Sequence, residues 1–120
     1  MTKTANKIYD LEDRTRNFAI RVRKFLQRLP KTVSNIEDGK QVIRSSGSTG
    51  ANYIEADEAL SKKDFKYRIK ISRKEAKESS YWLKIIVANN DNKFAPDGNK
   101  LIQEVEELKK IFSSILEKCK

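Results

Sequence analysis

Apolar side chains recur every three or four residues in four separate segments of the chain. This spacing places them along one side of an α helix, and a helix with such a stripe buries it against another helix. In the third segment (residues 65–86) and the fourth (101–119), the inward positions keep alternate steps of four and three. No segment alternates apolar and polar residues over the length of a strand. The pattern therefore predicts an all-α fold.

Residues that favour turns separate the four segments. Pro30 follows the first, and residues 89–99, which are rich in Asn, Asp, Pro and Gly, follow the third. The second segment is the least regular, because Gly47 and Gly50 each disfavour a helix by about 1 kcal/mol relative to Ala. Short links make neighbouring helices antiparallel, so we predict an antiparallel up-down-up-down four-helix bundle as a single domain over residues 1–120. The predicted helices span about residues 10–29, 36–59, 62–89 and 98–119.

The composition argues against catalysis and for an anionic partner. The chain has 26 Lys and Arg residues against 17 Asp and Glu residues, a net charge of +9, with no His and one Cys. Without the usual general base and metal ligands, we expect no enzyme activity, no metal and no cofactor. A lone thiol, no export signal and apolar runs far shorter than the roughly 20 residues that cross a bilayer indicate a cytoplasmic protein without a membrane partner.

Most of the excess charge lies in the third predicted helix. Residues 60–88 contain nine Lys and Arg residues against three Asp and Glu residues, a net charge of +6. Five of these residues share one helix face: Lys66, Lys70, Arg73, Lys77 and Lys84. The first helix adds three arginines in heptad register: Arg14, Arg21 and Arg28. Such a face is typical of phosphate binding, although an ordinary solvated surface remains the alternative. No aromatic pair for base stacking is recognised within the face, so we expect electrostatic rather than sequence-specific binding.

The small residues between Arg44 and Asn52 favour close helix packing. The run lacks the Gly-Lys-Ser/Thr ending of a phosphate-binding P-loop, so we do not expect a nucleotide there. Asn52 and Glu55 lie about one turn apart and are predicted to join Arg44 and two carboxylates of the third helix, Glu75 and Glu78, in a buried polar network. We expect such a network to fix helix register or a subunit contact.

Two further side chains have a predicted place but no predicted chemistry. Trp82 lies one position off the apolar stripe of the third helix, where it either covers the edge of the core or anchors a subunit interface. Cys119 occupies a heptad position of the fourth helix, so we expect a small core residue rather than a reactive thiol.

Several motifs of the second and third helices resemble a known bacterial family. They occupy residues 44–56, 61–65, 74–78 and 81–83. The chain resembles the four-helix bundle proteins related to those encoded in 23S ribosomal RNA intervening sequences, except that Ser48-Thr49 stands where Ser-Val is common. The resemblance implies an antiparallel bundle that assembles into a pentameric ring. Motif positions to which it assigns a structural or interface role are Arg44, Ser45, Ser48, Asn52, Tyr53, Glu55, Glu75 and Glu78.

One relative in this family is the accessory protein of diversity-generating retroelements, which contacts nucleic acid and a reverse transcriptase. The leading hypothesis is therefore a non-enzymatic homo-oligomer, a pentamer by resemblance, that binds RNA or DNA electrostatically through its basic face as an accessory factor. The alternative is a structural or protein-interaction module that forms a ring and binds an acidic protein partner without nucleic acid.

Overall fold

Four α helices and one short 3-10 helix, with no β strand, make up residues 10–120, which are the residues that the computed structural model describes. The predicted all-α fold is confirmed. We number the α helices in chain order: α1 is Leu11–Arg28, α2 is Val33–Asp57, α3 is Lys62–Ala88 and α4 is Ala95–Lys118, and the 3-10 helix is Asn92–Phe94.

Neighbouring helices run in opposite directions. Asn35 near the start of α2 exchanges two hydrogen bonds of 2.8 Å with Asn90 just after α3. Asn52 near the end of α2 accepts a hydrogen bond of 3.1 Å from Arg68 near the start of α3. The other three pairs of helices meet in the same antiparallel sense. Between α1 and α2, Thr15 lies against Gly50 and Leu26 against Gly39. The contacts of α4 are Ser80 with Glu106 and Arg73 with Ser113 on the α3 side, and Arg14 with Glu104 and Arg28 with Asp97 on the α1 side. The predicted up-down-up-down bundle is confirmed.

Two helices begin earlier than the sequence predicted. α2 begins at Val33 rather than near residue 36, because the Thr32 hydroxyl caps it by accepting the backbone N–H of Asn35 at 3.1 Å. α4 begins at Ala95 rather than near residue 98, because Pro96 lies in its first turn, where the missing N–H leaves no hydrogen bond unmade. The link after α3 is therefore six residues long and includes the 3-10 helix, whereas the predicted helix bounds left eight residues.

The apolar stripes of the four helices meet in one core. Its largest fully buried side chains include Phe18, Ile69, Leu83, Leu108 and Phe112. Burying each such side chain contributes about 1.5–3 kcal/mol relative to leaving it in water. No helix between residues 10 and 120 has both the length and the apolar character to cross a membrane.

Gly47 and Gly50, the two glycines in the middle of α2, differ in their surroundings. A Cβ atom at Gly50 would lie 2.7 Å from the Thr15 hydroxyl oxygen of α1. That hydroxyl is held by a 2.6 Å hydrogen bond to the carbonyl of Leu11, so it does not move aside easily. A Cβ atom at Gly47 would lie 3.5 Å from the Arg23 guanidinium, an ordinary contact. Only Gly50 is required for the close approach of α1 and α2.

We expect opposite effects from the same substitution at these two positions. Gly50→Ala should lower the free energy of unfolding by about 1–3 kcal/mol, since it forces a clash in a packed interface. Gly47→Ala should raise the free energy of unfolding by about 0.5–1 kcal/mol, since Ala favours the helix and meets no obstacle. Urea unfolding followed by circular dichroism measures both. Equal effects of the two substitutions would contradict the difference in packing.

Candidate nucleic-acid interface

The side of α3 that faces away from the bundle carries a continuous row of lysines and tyrosines. Its members follow one another at steps of three and four residues, which place them in line along the helix. All are exposed, and none is acidic. We call this row the outer stripe, and it consists of Lys63, Tyr67, Lys70, Lys74, Lys77, Tyr81 and Lys84.

None of the lysines of the outer stripe forms an ion pair with a residue among 10–120. Two partly buried carboxylates of α3 and α4 bond to groups outside the outer stripe. Glu78 accepts a 2.5 Å hydrogen bond from Arg44, and Glu106 accepts bonds from Lys109 at 2.8 Å and Ser80 at 2.6 Å. The outer stripe therefore keeps its positive charge, and a row of one sign attracts polyanions.

The pKa values of Glu78 and Glu106 are consistent with these hydrogen bonds. Burial raises the pKa of Glu78, but the hydrogen bonds from Arg44 and Trp82, together with the positive charges of Arg44 and Lys74, outweigh burial, and the pKa is lowered overall. The hydrogen bond from Lys109, followed by the one from Ser80, lowers the pKa of Glu106. Each carboxylate is hydrogen-bonded to partners outside the outer stripe. Charge attraction from one lysine of the stripe lowers each pKa further, Lys74 acting on Glu78 and Lys84 on Glu106.

The basic face predicted from the sequence is turned slightly from the observed one. Lys70, Lys77 and Lys84 lie in the outer stripe, whereas Lys66 and Arg73 are half-buried on the side of α3 that faces α4. There the Arg73 guanidinium lies 3.4 Å from a hydroxyl of α4, that of Ser113. Residue spacing alone does not show which flank of α3 the neighbouring helix covers.

Two of the three arginines predicted to widen this face are used elsewhere. The Arg14 guanidinium contacts both carboxylate oxygens of Glu104, at 2.8 and 2.9 Å. This hydrogen bonding raises the pKa of Arg14. Arg28 pairs with Asp97 at 2.5 Å. Both arginines tie α1 to α4 through these ion pairs, and their role as phosphate ligands stays a prediction. Arg21 is exposed beside Arg28 in an open groove between α1 and α4, apart from the outer stripe.

The two tyrosines of the outer stripe were not among the residues predicted from the sequence. Tyr67 is 58% exposed and Tyr81 is 59% exposed. In the sequence, Tyr67 lies three residues before Lys70 and Tyr81 lies four residues after Lys77, which places them on the same side of the helix. The predicted basic face was chosen by charge alone and therefore left them out. Two exposed aromatic rings therefore lie among the lysines of α3, and the absence of base stacking stays a prediction.

An open cavity of about 580 Å³ lies beside the first turns of α3. Cys119 lies in its wall, half-buried at the end of α4, and not in the core as predicted. No Asp or Glu lines this cavity, so its charge is also positive. The lining residues are Lys62, Lys63, Lys66, Tyr67, Lys70, Cys119 and Lys120.

The family motif residues mostly join α2 to α3 within the chain. The hydroxyls of Ser45 and Ser79 lie 2.8 Å apart in the buried interface. Arg44 is 51% exposed and reaches Glu78 at 2.5 Å and the buried Glu75 at 3.3 Å. The predicted network is thus only partly formed. Asn52 bonds instead to Arg68 and, within α2, to the carbonyl of Ser48, while Glu55 is exposed outside the network.

The two aromatic motif residues differ in their surroundings. Tyr53 is half-buried with its ring 6.4 Å from that of Phe112, and burial raises its pKa. Trp82 packs against the core and donates a 3.3 Å hydrogen bond to Glu78. The Tyr81 ring meets the Trp82 indole edge-on at 5.1 Å between centroids. Trp82 thus links the Arg44 contact to the outer stripe.

The contact between Arg44 and Glu78 should make a pH-dependent contribution to stability. Because the folded pKa of Glu78 lies below its ordinary value of 4.5, the contribution is complete above that value and is lost as the pH falls through the folded pKa. Glu78→Gln should therefore lower the free energy of unfolding at pH 7 by a few tenths to about 1 kcal/mol, since the pair is partly exposed. Urea unfolding at pH 7 and pH 3 tests this, and an equal deficit at both pH values would contradict it.

A solved structure resembles this fold closely. It is the crystal structure of a protein with unknown function from the S23 ribosomal protein family of Bacteroides thetaiotaomicron. The two chains share 30% sequence identity and superpose with a TM-score of 0.74, over 88% of this chain and 97% of that one. No curated protein matches the chain.

The sequence also matches a protein family described as the 23S rRNA-intervening sequence proteins. The match covers residues 7–114 and so includes all of α1, α2 and α3 and most of α4. It confirms the resemblance carried by the motifs of α2 and α3. The chain belongs to the 23S rRNA-intervening sequence protein family.

Proposed function

We propose that this protein is a cytoplasmic, non-enzymatic, homo-oligomeric bundle that binds RNA or DNA electrostatically through the outer stripe of α3. The observation that carries this proposal is the set of five exposed lysines on one line without ion-pair partners among residues 10–120. Neighbouring like charges on a helix destabilise it by a few tenths of a kcal/mol per pair. A polyanion would relieve that repulsion.

The length and chemistry of the outer stripe suit a nucleic-acid backbone. Lys63 and Lys84 are 21 residues apart, which corresponds to about 32 Å along a helix. A backbone of closely spaced phosphates can lie along such a row and meet several lysines at once. Lys is a compact point charge on a flexible stem, so it does not demand one geometry of its ligand. Binding of this kind is independent of sequence and weakens steeply with salt.

Neutralising the middle of the outer stripe tests the proposal. The triple variant Lys70→Gln, Lys74→Gln, Lys77→Gln should bind a labelled RNA at least about tenfold more weakly at moderate salt, and the slope of log affinity against log salt should fall by about 2. Fluorescence anisotropy across a salt series measures both quantities.

A matched control removes the same charge elsewhere. Lys24, Lys31 and Lys100 are also exposed but lie off the outer stripe. Changing these three to Gln should leave most of the affinity and of the salt slope. If the two triple variants bind equally well, the binding follows net charge and the outer stripe is not the site.

A competition assay distinguishes a nucleic-acid ligand from the alternative, an acidic protein partner. Poly-glutamate of matched charge should displace the RNA poorly if phosphates are the ligand. Displacement as effective as that by unlabelled RNA would favour the acidic partner, because carboxylates would then satisfy the same lysines.

We propose the face formed by α1 and α2 as the contact between subunits. Four isoleucines on this face are 38–46% exposed: Ile20, Ile36, Ile43 and Ile54. Two open cavities, of about 430 and 250 Å³, lie in the same groove between the helices. Apolar surface of this kind commonly marks a protein contact. A second copy bound there would leave the outer stripe accessible, since α3 lies diagonally opposite α1.

Placing charge in this groove should break the assembly. Ile36→Glu with Ile43→Glu should lower the mass of the particle in light scattering or native mass spectrometry, because both side chains line the larger cavity. Leu60→Glu is the control, since Leu60 is fully exposed in the turn between α2 and α3. An unchanged mass for the double variant would exclude this face as the subunit contact.

A further inference from the structure

We infer that the ligand of the outer stripe is single-stranded, and that unpaired bases stack on Tyr67 and Tyr81 while the lysines hold the phosphates. The inference rests on the proposed function, because it concerns the same surface. It goes further in naming the class of nucleic acid and the two side chains that select it.

Each tyrosine lies between lysines along the outer stripe. Lys63 and Lys70 flank Tyr67 at four and three residues, and Lys77 and Lys84 flank Tyr81 in the same way. A base on either ring would therefore have a lysine on each side of it for its neighbouring phosphates. The two rings are 14 residues apart, four turns of helix or about 21 Å. This alternation of cations and aromatic rings is typical of surfaces that bind single strands.

The rings are held by the protein. Tyr81 packs edge-on against Trp82 at 5.1 Å, and Trp82 is fixed in turn by its bond to Glu78. The Arg68 guanidinium lies 5.9 Å from the centroid of the Tyr67 ring. A ring that is already ordered loses less freedom when a base stacks on it. Both rings remain more than half exposed despite these contacts.

The space around Tyr67 also suits an unpaired nucleotide. Tyr67 forms part of the wall of the cavity of about 580 Å³, and the rest of the wall is mostly lysine. A base against the ring would leave its phosphates among those lysines. In a duplex the faces of the bases are already stacked on one another, so they are not available to a side chain. Duplex nucleic acid would meet only the lysines.

The experiment compares three ligands of equal length: an unstructured single-stranded RNA, an abasic strand of the same charge, and a duplex. The wild-type chain should bind the single strand at least about tenfold more tightly than the abasic strand, since stacking on an aromatic side chain is worth that much per base. Tyr67→Ala with Tyr81→Ala should lose this preference and keep the affinity for the abasic strand. Tyr67→Phe with Tyr81→Phe should retain the preference, because stacking needs the ring and not the hydroxyl.

The outcomes separate the inference from the proposed function. If the alanine variant keeps the wild-type preference for bases, or if the wild type binds all three ligands equally, stacking is excluded while the lysine surface stands. If the wild type binds none of them above the level of the Lys70, Lys74 and Lys77 triple variant, both proposals fail. Thermal melting of each variant checks that it is folded, and Leu60→Ala serves as a control for loss of an exposed apolar side chain off the outer stripe.

Discussion

The arrangement of charge on this protein depends on how α3 is held between α2 and α4. Small side chains let α2 and α3 approach closely, and the Ser45 and Ser79 hydroxyls bond to each other across that interface. On the other flank, Ser80 bonds to Glu106 of α4. Both flanks of α3 are therefore occupied along the middle of the helix, and the outer stripe is the side left to solvent. The lysines placed there are available to a ligand because none of them forms an ion pair among residues 10–120.

Arginine and lysine have different tasks in this molecule. Arg14, Arg28 and Arg44 each pair with a carboxylate of another helix, as suits a guanidinium with several donors in one plane. These three arginines occupy carboxylates that could otherwise pair with lysines on the surface. The lysines of the outer stripe remain without partners among residues 10–120, so the positive charge is concentrated on one side of one helix. The arginine ion pairs thus stabilise the bundle. Because they occupy carboxylates, they also leave the proposed interface with a net positive charge.

The family motif belongs mainly to the packing of α2 on α3, yet it reaches the proposed interface. Arg44 holds Glu78, Glu78 accepts the Trp82 indole N–H, and Trp82 supports the ring of Tyr81. A motif that is structural in its contacts therefore also orients a side chain of the outer stripe. Substitutions in it are expected to act on stability first and on binding through Tyr81.

The sequence by itself determined the helices, their antiparallel order and the concentration of charge on α3, because residue spacing fixes which side of a helix is apolar. It did not determine where α3 meets its neighbours, so Lys66 and Arg73 were placed on the open face although they turn toward α4. It also missed the ion pair between Arg14 and Glu104, which lie 90 residues apart. Only the tertiary structure decided these points, and with them the exposure of Tyr67 and Tyr81. Helical periodicity describes one helix at a time, whereas burial and charge pairing depend on the helices packed beside it.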